Sequence, residues 1–105
     1  MPKFLWKAAY TTAGARGVAK EGGRARRDIV KHAVESVGGT LEAFYFAFGS
    51  DDVYVIADLP DNETAMAVAV SVNSTEGASI ETVVLLTPEQ IDTAVRKKVA
   101  FTPAG

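Results

Sequence analysis

Residues 40–59 read TLEAFYFAFGSDDVYVIADL. Two apolar runs, Thr40–Phe48 and Val53–Leu59, flank the four residues GSDD at 49–52. Both runs are rich in aromatic and β-branched side chains, which suit a pleated surface. Glycine accepts a positive φ and aspartate bonds to its own backbone neighbours, so the interruption reads as a turn. Two strands this close in sequence form an antiparallel hairpin.

The segments on either side complete the pattern. Lys3–Thr11 alternates as a strand, with Phe4, Trp6, Ala8 and Tyr10 on one face and Leu5 and Ala9 on the other. Between it and the hairpin, Ala15, Val18, Ala25, Ile29, Ala33 and Val37 recur at helical steps. Gly22-Gly23 interrupts them. The spacing predicts a short helix, a glycine break, and a main helix over 23–37 closed by Gly38-Gly39. After the hairpin, Asp61 suits an N-cap, Glu63 a first turn and the alanines a helix over 62–74. Met66, Val68, Val70 and Val72 alternate as a strand would, and helix is the reading chosen. Residues 80–86, IETVVLL, give a fourth strand. TPEQ at 87–90 is a capping box that opens a helix over 88–97. The tail VAFTPAG has room for a small edge strand.

Strand, helix, two strands, helix and strand, plus an appended C-terminal helix, is an α+β ferredoxin-like βαββαβ chain. It predicts a four-stranded antiparallel sheet with its helices on one face. The uncovered face should then be polar, yet each hairpin strand is apolar on both sides. Leu41, Ala43, Tyr45 and Ala47 oppose Phe44, Phe46 and Phe48; Val53, Val55, Ala57 and Leu59 oppose Tyr54 and Ile56. Bare apolar patches seldom exceed about 300–600 Å². The expected cover is a second copy of the same sheet, in a homodimer or a multiple of one.

A length of 105 residues makes one domain, 1–105, and 48% apolar with 23% charged residues is ordinary globular composition. A net charge of −2 gives no pull toward nucleic acid. Arg24, Arg26, Arg27 and Lys20 form a basic helix on an acidic chain, so no nucleic-acid partner is expected. There is no cysteine and one histidine, His32, so neither a disulfide, a thiolate nor a His-rich metal site is expected. No cofactor is expected. No apolar run approaches the ~20 residues of a membrane span. MPKFLWK lacks a secretory apolar region, and a bacterial-type cytoplasmic protein with no membrane partner is the default expectation.

Five residues are candidates for holding a ligand. Trp6, Tyr10 and Tyr45 belong to an aromatic set that either packs core and interface or lines a cavity. His32 sits at the edge of the helical stripe. Arg26 falls in the stripe's middle and in the helix's first turn, where a cation is unfavourable. It therefore calls for an anion: a carboxylate such as Asp58, Asp61 or Glu81, or an acidic ligand beside Gly22-Gly23. Gly49, Asp52, Pro60 and Asp61 are read as structural. Asp51-Asp52 could pair on a metal or act as acid and base, but hard cations need more oxygens than this turn offers. Asp52 is expected to bond nearby N–H groups of the turn, leaving Asp51 exposed. Lys7, Glu42, Asp58 and Glu81 interrupt apolar strands, at sheet edges or inside a barrel.

The chain resembles the GYD domain family, small bacterial and archaeal proteins of unknown function. The resemblance is carried by Tyr10-Thr11 with Gly14, Arg26-Arg27, Gly38-Gly39, AFYFAFGSDDVYVIADLPDNETA at 43–65 and ETVVLLTPEQ at 81–90. Gly49 and Asp52 match the family's G-x-Y-D turn, and Pro60 and Asp61 its helix start; Asp51 stands where the family has tyrosine. The resemblance implies a dimeric α/β-barrel architecture, in which two ferredoxin-like sheets pack together. That architecture also serves cofactor-independent monooxygenases, isomerases and binding proteins, and carries over no catalytic residue. Three functions stay open: a homo-oligomeric domain that binds or senses a small acidic or aromatic molecule, a cofactor-independent oxygenase or isomerase, and a structural interaction module.

Overall fold

The computed structural model describes residues Met1–Gly105. Strands β1 (Lys3–Tyr10), β2 (Thr40–Phe46), β3 (Val53–Asp58) and β4 (Ala78–Leu85) form one open sheet in the order β2-β3-β1-β4, antiparallel throughout. Helices α1 (Thr12–Glu21) and α2 (Gly23–Ser36) cross from β1 to β2, α3 (Asn62–Asn73) from β3 to β4, and α4 (Pro88–Val95) follows the sheet. This is the α+β fold read from the sequence. The first crossover holds two helices because Gly22 takes φ +90°, which breaks the helical run.

Local chemistry sets the helix ends. Thr11, Asp61 and Thr87 each accept the N–H bond three residues on, from Gly14, Thr64 and Gln90. Thr64 bonds Asp61 through both its hydroxyl and its N–H, holding that carboxyl below the usual carboxylate range. The Thr87–Gln90 capping box is complete. Pro60 lies 3.6 Å from where a side chain on Gly38 would begin, so the turn into β2 and the turn into α3 lie side by side.

The core lies between the sheet and its helices. Phe4, Trp6 and Ala8 of β1 and Val53, Val55 and Ala57 of β3 are buried there with Leu59, Val34 and Ala65. Thr11 fastens the start of α1 to the approach of β4, donating to the carbonyls of Glu76 and Gly77. Gly14 makes this closeness possible, because a Cβ there would stand 1.8 Å from Gly77 O.

Three expectations need correction. Ala47 and Phe48 lie outside β2, and Phe48 is fully exposed. The tail beyond α4 forms no strand. The faces of β2 also differ from simple alternation. Leu41 pairs with Ala57, but Ala43 pairs with Ile56, so Glu42 is an extra residue, a β-bulge. Leu41, Phe44 and Phe46 therefore all join the helix side, while Ala43 and Tyr45 turn to the open face.

That open face is banded. Ala43, Ile56, Leu5 and Val83 form an apolar row across all four strands, beside the opposed pair Tyr45–Tyr54. Ion pairs flank the row: Lys3 with Glu42 and Asp58, and Lys7 with Glu81. Each of these charged residues inside the strands thus has an opposite charge beside it there.

Candidate ligand-binding site

Helices α2 and α3 both lie on the sheet but make little contact with one another. The core-facing side chains of α3 are mostly small: Ala65, Val68, Ala69 and Val72. A cavity of about 180 Å³ remains between helices and sheet. Trp6, Ala8, Val53 and Val55 form its floor; Val30 and Val34 of α2 and Val68 and Val72 of α3 form its walls. Fourteen of its fifteen lining residues are apolar, and the exception is Arg26. Ile29 and Ala33 also border it and are exposed, so it reaches solvent along α2.

Two N–H donors on residues that line this cavity have no acceptor. Trp6 is 3% exposed, and its Nε1 is buried without a partner. Arg26 Nε is buried and unpartnered too. An unsatisfied buried donor costs about 1–3 kcal/mol, so two beside one apolar hollow call for an explanation.

Arg26 does meet an anion, though none of the three expected. Its Nη2 donates to Glu21 Oε2 at 3.2 Å. Asp58 and Glu81 point to the opposite face of the sheet, where they pair with lysines, and Asp61 is engaged as the cap of α3. Tyr10 ends β1 beside Arg26, bordering the cavity and two adjoining surface depressions. Burial pushes its hydroxyl above the usual tyrosine pKa, the Arg26 charge opposes that rise, and Asp52 and Glu21 add to it. Tyr10 is thus a neutral phenol near pH 7, suited to donating a hydrogen bond.

Asp52 stands behind Tyr10. Its Oδ2 accepts from the Tyr10 N–H at 2.8 Å, and its own N–H donates to Ala8 O at 2.7 Å. Its carbonyl accepts from Ala47 N–H, closing the hairpin. The side chain therefore holds β1, not the turn's own N–H groups, because the hairpin end lies against the end of β1. Gly49 supplies the turn with φ +108°. Asp51 is half-buried, not exposed, and does not border the cavity. No group of three or more His, Asp or Glu side chains is placed to hold a metal ion.

Of the five ligand candidates, Trp6, Tyr10 and Arg26 meet at the cavity, and two do not. Tyr45 is 71% exposed on the far side of the sheet, where the Glu42 bulge sends it. His32 is exposed on α2. It lies two residues from both Val30 and Val34, roughly 200° around the helix from the buried stripe. Glu21 and the valines of α3 were not singled out from the sequence. The signal for Glu21 was its place five residues before Arg26, across a glycine break that changes the helix direction.

The model of the family described as GYD domain matches residues 4–95. The chain belongs to the GYD domain family. Comparison with curated proteins and with solved structures finds no match. The matched span of the GYD domain runs from Phe4 in β1 to the last residue of α4, so sheet, helices and cavity all belong to it. No helix is long and apolar enough to cross a membrane.

Proposed function

We propose that this GYD domain is a homo-oligomeric small-molecule-binding domain, whose ligand occupies the cavity between α2, α3 and the sheet. The observation that carries the reading is that Trp6 and Arg26, which line an otherwise apolar hollow, each hold a buried N–H donor with no partner, Nε1 and Nε. A ligand with an apolar body and an acceptor end would satisfy both parts. Binding is favoured over catalysis because no carboxylate or histidine lines the cavity to act as a base; the polar groups of its lining residues are an indole, a guanidinium and a neutral phenol. The molecule has a single tryptophan, so its one indole N–H resonance reports on this cavity alone. The chain should leave its expression host with a ligand visible by native mass spectrometry, or take one from a library of small acids and aromatics. In either case the indole N–H resonance moves downfield as it gains an acceptor. An indole resonance that no compound moves, on a chain carrying no ligand, removes the reading.

The oligomer is supported by the apolar row on the open face and by α4. That helix has no buried residue, and Leu86, Ile91, Val95, Val99 and Phe101 along it and its flanks are exposed. An isolated eight-residue helix is barely stable in water, and a second copy gives both surfaces something to cover. An interface of this kind buries at least about 1,200 Å². Sedimentation at micromolar concentration should give the mass of two 11.1 kDa chains or a multiple; a monomer removes the oligomer from the reading.

A further inference from the structure

The ligand-binding reading leaves open what the ligand carries toward Arg26, and the geometry there is more specific than the reading needs. A guanidinium presents Nε–H and an Nη–H along one edge, and a carboxylate accepts from both in the bidentate arrangement. At Arg26 that edge is half used. Glu21 reaches Nη2 at 3.2 Å, while Nε stays buried and unpartnered on the one charged residue that lines the cavity. Glu21 is also held loosely. It is the last residue of α1, a helix with no buried side chain, and Gly22 after it has φ +90° and nothing within 4 Å of where a side chain would start. The carboxylate can swing away while α2 and the sheet stay in place.

Resting on that reading, we propose that the ligand is a single-ring carboxylic acid, whose carboxylate takes the Nε and Nη2 edge of Arg26 and displaces Glu21. Size fixes the ring. A cavity of about 180 Å³ is close to the roughly 150 Å³ apolar hollow that accepts benzene, and too small for a fused polycyclic body. The walls are aliphatic and aromatic throughout, which suits a ring, and the one cation suits one negative charge. Glu21 then works as an internal stand-in for the ligand's own acid group. It neutralises Arg26 while the cavity is empty, and its release frees the end of α1, so occupancy is passed to the surface.

Benzoate and its neutral isostere benzamide test this, titrated at pH 7 into the full chain and followed by calorimetry and the Trp6 indole resonance. Benzoate should bind at least about tenfold more tightly, as a charge-assisted bond to Arg26 requires. Glu21→Gln, a substitution on the exposed end of α1, should tighten benzoate roughly two- to fivefold by removing a competing surface ion pair, and leave benzamide unchanged. Arg26→Gln should bring the two probes level. Equal binding of both probes to the wild-type chain, or a Glu21→Gln variant with unaltered benzoate affinity, overturns the carboxylate proposal while the cavity stands. If neither probe moves the indole resonance but a larger or acyclic compound does, the single-ring acid is wrong and the cavity is right. If no compound moves it, both fall.

Discussion

Trp6→Ala should lower the unfolding free energy by about 3–5 kcal/mol, the usual cost of truncating a large buried aromatic. The indole is 3% exposed and packs between β3 and the helices, and the space it vacates would merge with the existing hollow. The total stability of a domain this size is about 5–15 kcal/mol, so the variant should sit near the edge of folding. Trp6→Phe should behave differently. It keeps most of the packing and removes a buried donor that has no acceptor, a defect costing about 1–3 kcal/mol. The two terms oppose, so the empty chain should lose little. The same change should weaken binding of the proposed ligand, because the donor it lacks is one that ligand would use. Urea titration followed by circular dichroism measures both variants without relying on the missing fluorophore. If Trp6→Phe is as damaging as Trp6→Ala, the indole N–H has an internal acceptor and the binding argument loses its main support.

Gly14→Ala should be the most damaging single-methyl change in α1. The added Cβ would stand 1.8 Å from Gly77 O, a backbone atom that cannot turn aside. Either α1 tilts off the sheet or the approach to β4 moves, and both routes break the bonds from Thr11 to Glu76 and Gly77. Overpacking of this kind costs about 1–3 kcal/mol, and a backbone clash lies at the upper end. Gly17→Ala on the same helix is the control. Its Cβ would meet only Arg26 Nη2, at 3.9 Å. Replacing a mid-helix glycine there should stabilise the chain by about 0.5–1 kcal/mol. Thermal unfolding of the two variants should shift in opposite directions; matching shifts would mean that α1 is not seated as described.

The elements were legible in the sequence because their signals are local. The alternation in Lys3–Tyr10, the Thr87–Gln90 capping box and the Gly22-Gly23 break each act within a few residues, and each sits where it was expected. Arg26 was legible as a cation in an apolar stripe. Its partner was not, because the choice among carboxylates depends on which face of the sheet each one takes. The cavity itself had no sequence signal beyond the small side chains of α3. A hollow results from two helices failing to meet, and that is a property of distances between segments. Tyr45 and His32 lie away from the cavity for separate reasons: the hairpin faces could not be told apart until the register and the Glu42 bulge were known, and His32 stands at the edge of a stripe whose packed centre is Val30 and Val34.

The bulge at Glu42 has a consequence for how relatives of this chain can differ in length. Leu41 and Phe44 both face inward only because one residue between them is unpaired. A descendant that loses a single residue here simply regains regular alternation, with Phe44 still inside and Tyr45 still outside. A descendant that keeps all its residues but irons the bulge flat turns Tyr45 inward and Phe44 outward. At this site losing Glu42 costs its pair with Lys3 and leaves the inward face as it was, while the length-preserving change is the one that rewrites what lines the cavity.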